Sequence, residues 1–251
     1  MNPVRVIPCL DVKDGRVVKG VRFENLRDAR DPAEAAAAYS EQGADEVVLL
    51  DIAATVEGRG TRREWVKRVA EAVTVPFTVG GGISSLDDMK EIFDLGAATV
   101  SLNTAAVRNP DLVRQAVESY GPDALTVAID AEKGEGRYEV LIEGGRTRAG
   151  LELVAWATKV QELGAGEILL TSKDADGTTS GYDIPMTQAT AEAVSIPVIA
   201  SGGCGELAHL VDAVREGKAS AVLAASVFHF GTFTIAQAKE FLREHGIPVN
   251  L

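Results

Sequence analysis

AEAVTVPFTVGGG, residues 70–82, returns as AEAVSIPVIASGG at residues 191–203, an offset of 121 residues. In each copy the tail of a helix-period segment turns into a short apolar run rich in β-formers, and that run ends in glycines. The same offset carries Gly43-Ala44-Asp45-Glu46-Val47 onto Gly164-Ala165-Gly166-Glu167-Ile168 and Asp51 onto Ser172. With slips of one or two residues it carries Asp11 onto Asp130 and Asn103-Thr104 onto Ala225-Ser226. Convergence is not expected to copy a helix end, the next strand and its loop together, so the chain reads as a duplication with halves of about 1–122 and 123–251. Two copies of whatever one half binds are expected.

Apolar strand-like runs alternate with helix-period segments along the chain, as in a parallel sheet. Strands are expected at Val4–Leu10, Glu46–Asp51, Pro76–Gly80, Thr99–Asn103, Ala124–Asp130, Glu167–Ser172, Ile196–Ser201 and Ala221–Ala225. Helices are expected at 32–42, 62–73, 85–95, 110–119, 150–163, 186–194, 206–216 and 234–245. Asp31 before Pro32 reads as a cap ahead of a first-turn proline, and Gly43, Gly96 and Gly164 sit where helices stop. This pattern over 251 residues predicts one α/β domain, a closed (β/α)8 TIM barrel built from two duplicated half-barrels. An open doubly wound sheet is the alternative.

The first strand hands over to an unusual segment. IPCLDVKDGRVVKG, residues 7–20, breaks from an apolar run at Asp11 into a basic stretch that continues to Asp31. Roughly 20 residues is far above the usual strand-to-helix connection, and such loops are functional or disordered. With Lys13, Arg16, Lys19 and Arg22 it is expected to be a mobile cationic lid.

Composition narrows the function. Hydrophobic residues at 46% and charged ones at 25% fit a soluble globular protein, and no apolar run approaches the length of a membrane helix. The opening residues lack the pattern of a signal peptide, so a cytoplasmic location is expected. Two cysteines, Cys9 and Cys204, make no disulfide framework, and no Cys/His pair has zinc spacing. A formal charge of −12 argues against nucleic acid, so an anionic substrate would have to be held by local donors.

Barrel chemistry sits at the C-terminal strand ends, where Asp11, Asp51, Asp130 and Asp176 fall. Strands one and five face each other across an eight-stranded mouth, so Asp11 and Asp130 form an opposed pair suited to general acid and base work. The plainer alternative is that either caps a helix or pairs with a loop arginine. Gly80-Gly81-Gly82 and Ser201-Gly202-Gly203 would let backbone N–H groups close on a phosphate, with Asn103-Thr104 and Ala225-Ser226 beside them. Tight turns are the alternative for these glycines. Neither loop spells a dinucleotide fingerprint. Ser172, Asp174, Asp176, Gly177 and Asp183 fall on calcium-loop positions, but the serine at the first position, the aspartate at the last and the preceding strand argue against a metal. Asp176 reads better as a polar group beside the second glycine loop. His209 and His245 read as helix-surface residues and His229 as structural. Lys19, on a loop, suits clamping substrate better than forming a Schiff base.

Taken together, IPCLDVKDGRVVKG, EVVLLDI, TVGGGI, VSLNTAA, VAID, GAGEILLTS with Asp176-Gly177, PVIASGG, LAASVFHFG and the closing GIPVNL resemble, in order and over the whole length, the cyclase subunit of imidazole glycerol phosphate synthase. The phosphoribosyl isomerase of the preceding step is a similar duplicated barrel. The context of Cys9, the Lys19-Gly20 stretch and Phe228-His229-Phe230-Gly231 look like the cyclase. A non-catalytic docking barrel is a third reading. The resemblance implies that a bisphosphorylated ribulosyl-formimino carboxamide nucleotide and ammonia become imidazole glycerol phosphate and aminoimidazole carboxamide ribotide, without a cofactor. It implies Asp11 and Asp130 as the acid/base pair and Lys19 as a clamp. Gly82, Asn103 and Thr104 would hold one phosphate, and Asp176, Gly177, Gly203, Ala225 and Ser226 the other. It further implies a glutaminase partner under the barrel, with ammonia entering past a charged gate matched by Arg5, Glu46 and Glu167. The family usually has a lysine on the fourth strand and an acid just before it, where this chain has Thr99 and Ala98.

Overall fold

The computed structural model describes residues 2–21 and 24–251, of which 19–21 and 24–29 are described by their backbone alone. In chain order the strands and helices are β1 (Arg5–Lys13), β2 (Arg16–Val21), β3 (Glu24–Arg30), α1 (Pro32–Glu41), β4 (Val47–Asp51), α2 (Arg63–Ala70), β5 (Phe77–Gly80), α3 (Leu86–Asp94), β6 (Thr99–Leu102), α4 (Thr104–Arg108) and α5 (Pro110–Tyr120). They continue with β7 (Leu125–Lys133), β8 (Tyr138–Ile142), β9 (Thr147–Glu152), α6 (Leu153–Glu162), β10 (Glu167–Ser172), α7 (Ile184–Ala193), β11 (Val198–Ser201), α8 (Leu207–Arg215), β12 (Ala221–Ala224), α9 (Ser226–His229) and α10 (Ile235–Glu244).

Among the described residues eight parallel strands, β1, β4, β5, β6, β7, β10, β11 and β12, close into a barrel through the β1–β12 and β7–β10 pairings. Closure removes the free edges that an open sheet would leave. The two-residue alternation of β1 shows how the sequence achieves it. Val6, Leu10 and Val12 pack outward under the helices, while Ile7 and Cys9 join Val48, Leu169, Ile199 and Leu223 in a second apolar cluster inside the barrel. Asp31 caps α1 by accepting from the N–H groups of Ala33 and Glu34, and Gly43, Gly96 and Gly164 take positive φ after their helices, as the sequence predicts.

Two stretches differ from expectation. Among the described residues the segment after Asp11, expected to be a loop, forms strands: β1 continues to Lys13 and pairs antiparallel with β2, which pairs with β3, while Arg22 lies outside the described residues. Asp14 at φ 51° and Gly15 at φ 76° make the turn, and Asp-Gly is a strong two-residue hairpin signal. The helix expected from residue 150 begins at Leu153, because Thr147–Glu152 is β9, the return strand of a hairpin extending β7. Here Gly144 and Gly145 supply the positive φ, and Glu152 caps α6 through the N–H groups of Val154 and Ala155. Both hairpins grow from a strand that carries one of the paired aspartates.

The 121-residue offset holds in three dimensions at the mouth. A Cβ on Gly81 would collide with the carbonyl of Asp51, and one on Gly202 would lie 2.8 Å from the carbonyl of Ser172. A Cβ on Gly82 would lie 2.6 Å from Ala54 Cβ, and one on Gly203 3.0 Å from Ala175 Cβ. Even the turn caps correspond: Ala54 N–H donates to Asp51 Oδ1 at 3.1 Å, and Ala175 N–H to Ser172 Oγ at 3.3 Å. Gly81 and Gly43 share a positive φ, 88° and 81°, but nothing lies within 4 Å of a Cβ on Gly43. Gly43→Ala should therefore cost about 1 kcal/mol, the conformational penalty alone. Gly81→Ala, which forces two backbones apart, should cost about 3 kcal/mol or more in urea unfolding. Equal losses would show that the close approach is not what demands glycine.

Candidate active site

The C-terminal strand ends open into a cavity of about 820 Å³. Asp11, Gly82, Asn103, Thr104 and Asp130 line it, and so do Asp176, Gly177, Gly202, Gly203, Ala225 and Ser226. The side chain of Lys19 lies outside the described residues.

Asp11 projects inward from β1 and accepts a hydrogen bond from Cys9 Sγ, two residues back on the same face, at 3.3 Å. Asp130 projects inward from β7, and Asn103 Nδ2 donates to its Oδ2 at 3.0 Å. Burial pushes the Asp130 carboxyl from 3.8 up to about 7, helped by the charges of Asp176 and Asp11 and opposed by the Asn103 hydrogen bond and Lys173. Near neutrality Asp130 therefore holds a proton for a substantial part of the time. This has a linkage consequence. Because the folded value lies above the unfolded one, the native state binds the extra proton, and this group's stabilisation, full below about 4, is lost as pH rises to about 7.

Each glycine loop is flanked by the start of a short helix. Asn103 and Thr104 open α4 beside Gly81-Gly82, and Ala225 and Ser226 open α9 beside Gly202-Gly203. At the first, Gly82 N–H donates to Thr55 Oγ1 at 3.3 Å, and Thr104 Oγ1 accepts from the N–H of Glu143 at 2.9 Å. At the second, Asp176 is buried, and a Cβ on Gly202 would lie 3.5 Å from Asp176 Cβ. Close packing thus demands glycine at both loops, and a short helix begins beside each.

Asp51, a strand-end carboxylate like the others, is engaged structurally. It is buried, its Oδ2 accepts from Arg59 Nη1 at 2.6 Å and its Oδ1 from Arg59 Nη2 at 2.9 Å, and it also takes the N–H of Ala54. The sequence gives no periodic signal for Arg59, which follows the turn at 52–58. Asp183 caps α7 through Met186 N–H and accepts from Tyr138 Oη at 2.9 Å. His229 is buried against Tyr39 Oη at 2.6 Å, while His209 completes the capping box of α8.

Arg5, Glu46 and Glu167 lie apart from the cavity, at the strand starts. Arg5 bridges both acids, pairing with Glu46 at 2.9 Å and with Glu167, and Thr78 Oγ1 donates to Glu46 at 2.5 Å. Burial raises Glu167 to about 7; Arg5 opposes the rise and Glu46 adds to it. Thr99 directs its hydroxyl to the carbonyl of Asp123 at 3.4 Å instead of joining this group.

A closed parallel barrel with acidic side chains and paired glycine loops converging at its C-terminal mouth is the architecture of a (β/α)8-barrel enzyme. Residues 5–234 match the family model described as Histidine biosynthesis protein, and the chain belongs to that family of histidine-biosynthesis enzymes. The family takes in both the cyclase and the isomerase barrels. No helix among the described residues is long and apolar enough to cross a membrane.

The electrostatics at the mouth are directly measurable. Carboxyl-carbon NMR should show Asp130 titrating near 7, and Asp11→Asn, by removing a like charge, should move that midpoint down. A midpoint near 4 in the unsubstituted protein would mean that Asp130 is not held protonated.

Proposed function

We propose that this chain is the cyclase of imidazole glycerol phosphate synthase. The observation that carries this reading over the isomerase is the floor of the barrel. There one arginine is shared by two buried or partly buried carboxylates, Glu46 and Glu167. Charges in such a place are costly unless they pair, and an apolar plug would serve stability as well. A charged closure makes sense where a small polar molecule must pass, and an isomerase takes no second substrate. Ser101 supports the same route: its Oγ is buried in the barrel interior, lines the cavity from below and has no hydrogen-bond partner among the described residues. The molecule is ammonia, delivered by a glutaminase docked on the N-terminal face.

At the mouth the two glycine loops would hold the two phosphates of the phosphoribulosyl-formimino-aminoimidazole carboxamide ribotide, and so place its ketone between Asp11 and Asp130. Addition of ammonia to that ketone expels its oxygen as water, and the departing oxygen needs a proton. Asp130, which carries a proton for a substantial part of the time near neutrality, is the acid for that step, while Asp11 takes the proton that the nitrogen sheds. Ring closure and release of the carboxamide ribotide reuse the pair. No cofactor enters these steps.

The test gives the purified chain each pathway nucleotide with ammonium salt. The formimino ribulosyl substrate should disappear only when ammonium is present, and turnover of the isomerase substrate instead would overturn the reading. Asp11→Asn and Asp130→Asn should each lower turnover by about 10²-fold or more with binding mostly kept. Corrected for the concentration of free ammonia, the rate should fall as pH rises through about 7, where Asp130 loses its proton. In the complex, Arg5→Ala should disturb glutamine-driven turnover and leave turnover on added ammonia nearly intact. If both activities fell together, Arg5 would be a support of the fold and not a gate.

A further inference from the structure

The turn of the β8–β9 hairpin, Glu143-Gly144-Gly145-Arg146, lies over the first glycine loop and not over the half of the barrel that supplies it. Two elements, α4 and the β4–α2 connection, hold it there. Glu143 N–H donates to Thr104 Oγ1 at 2.9 Å, the Glu143 carboxylate pairs with Arg108 on α4, and a Cβ on Gly144 would lie 3.9 Å from Val56 Cγ2 on the β4–α2 connection. Arg59, Arg108 and Arg146 all line this side of the cavity. Asp51 occupies the guanidinium of Arg59, and Glu143 that of Arg108. Arg146 has no ion pair or side-chain hydrogen bond among the described residues. Across the mouth, the described lining residues from Asp176 to Ser226 include no lysine or arginine, and Asp176 adds a carboxyl group.

The two loops are therefore alike in backbone and unlike in charge. This matters because the acid and base are fixed to particular strands. A bisphosphate whose ends fitted both loops equally could lie across the mouth in either direction, and one direction would present the reacting carbon to Asp11 and Asp130 in exchanged roles. We propose that Arg146 is the cation of the first loop: it binds the phosphate seated on Gly82 and Thr104 and so fixes the direction in which the bisphosphate lies. Thr104 helps from below. Its oxygen already accepts the Glu143 N–H, which leaves its own proton to donate to a phosphate oxygen. A guanidinium supplies a planar fork of donors suited to phosphate, and charge-assisted bonds of this kind are roughly twice as strong as neutral ones. The inference rests on the reading that both loops take phosphate.

Crystals of the unsubstituted chain, Arg146→Gln, Arg146→Lys and Arg114→Gln are soaked in rising inorganic phosphate, and occupancy is refined at each loop. Arg114 sits exposed on α5, outside the cavity lining, and removes the same unit of charge. In the unsubstituted chain the first loop should fill at the lower concentration. Arg146→Gln should raise its half-saturation about tenfold and leave the second loop unchanged. Arg146→Lys should recover part of the loss, and Arg114→Gln should change neither loop. First-loop filling unaltered by Arg146→Gln, or an equal weakening of both loops, would overturn the assignment while leaving the phosphate reading in place. If neither loop of the unsubstituted chain fills, the phosphate reading falls and this inference with it.

Discussion

At Gly81 the chain passes so close to the carbonyl of Asp51 that no side chain can stand between the two backbones, and at Gly202 the same approach is made to Ser172. The rest of the mouth depends on these contacts. They set the height of each glycine loop against the connection before it, and that height decides where Asn103, Thr104, Ala225 and Ser226 present their donors. The contact at Gly81 is reinforced by the Asp51–Arg59 pair, which ties the β4–α2 connection to the strand end. Its counterpart at Ser172 relies on neutral hydrogen bonds and on Asp183. Breaking a buried ion pair strands a charge, whereas losing a neutral bond costs far less. The first loop is the more firmly anchored half of a nearly symmetric pair.

Charge is distributed along the barrel axis in a similarly deliberate way. Asp130 at the mouth and Glu167 near the floor are both raised to about 7, each first of all by burial. Their neighbours differ. At Asp130 the charges of Asp176 and Asp11 add to the rise against Asn103 and Lys173, while at Glu167 Arg5 opposes the rise and Glu46 adds to it.

The barrel and the correspondence of its two glycine loops were legible because they depend on period and on a repeated string. A run such as VPFTVGGG carries its strand, its turn and its need for glycine in consecutive letters. The two hairpins were hidden for the opposite reason. An antiparallel excursion falls outside the strand–helix alternation of the barrel, although Asp14-Gly15 and Gly144-Gly145 spell its turns. Arg59 and Arg146 were not legible at all. Arg59 meets Asp51 eight residues back across an irregular connection that has no period, and Arg146 belongs to one half of the chain while it lies over the other, so no spacing within a half points to it.

The strands bearing the paired aspartates are the longest in the barrel, nine residues each against four to six for the others. Both run past the rim because a hairpin continues them. Asp130 is paired with Thr171 on one side and Leu141 on the other, so its backbone is held by ladder hydrogen bonds on both flanks. Amides there should exchange with solvent more slowly than those of the surrounding connections. Rearrangement of the rim can then alter what the cavity admits without shifting Asp11 and Asp130, so the shape of the mouth and the placement of its central carboxylates become separable during divergence of such a barrel.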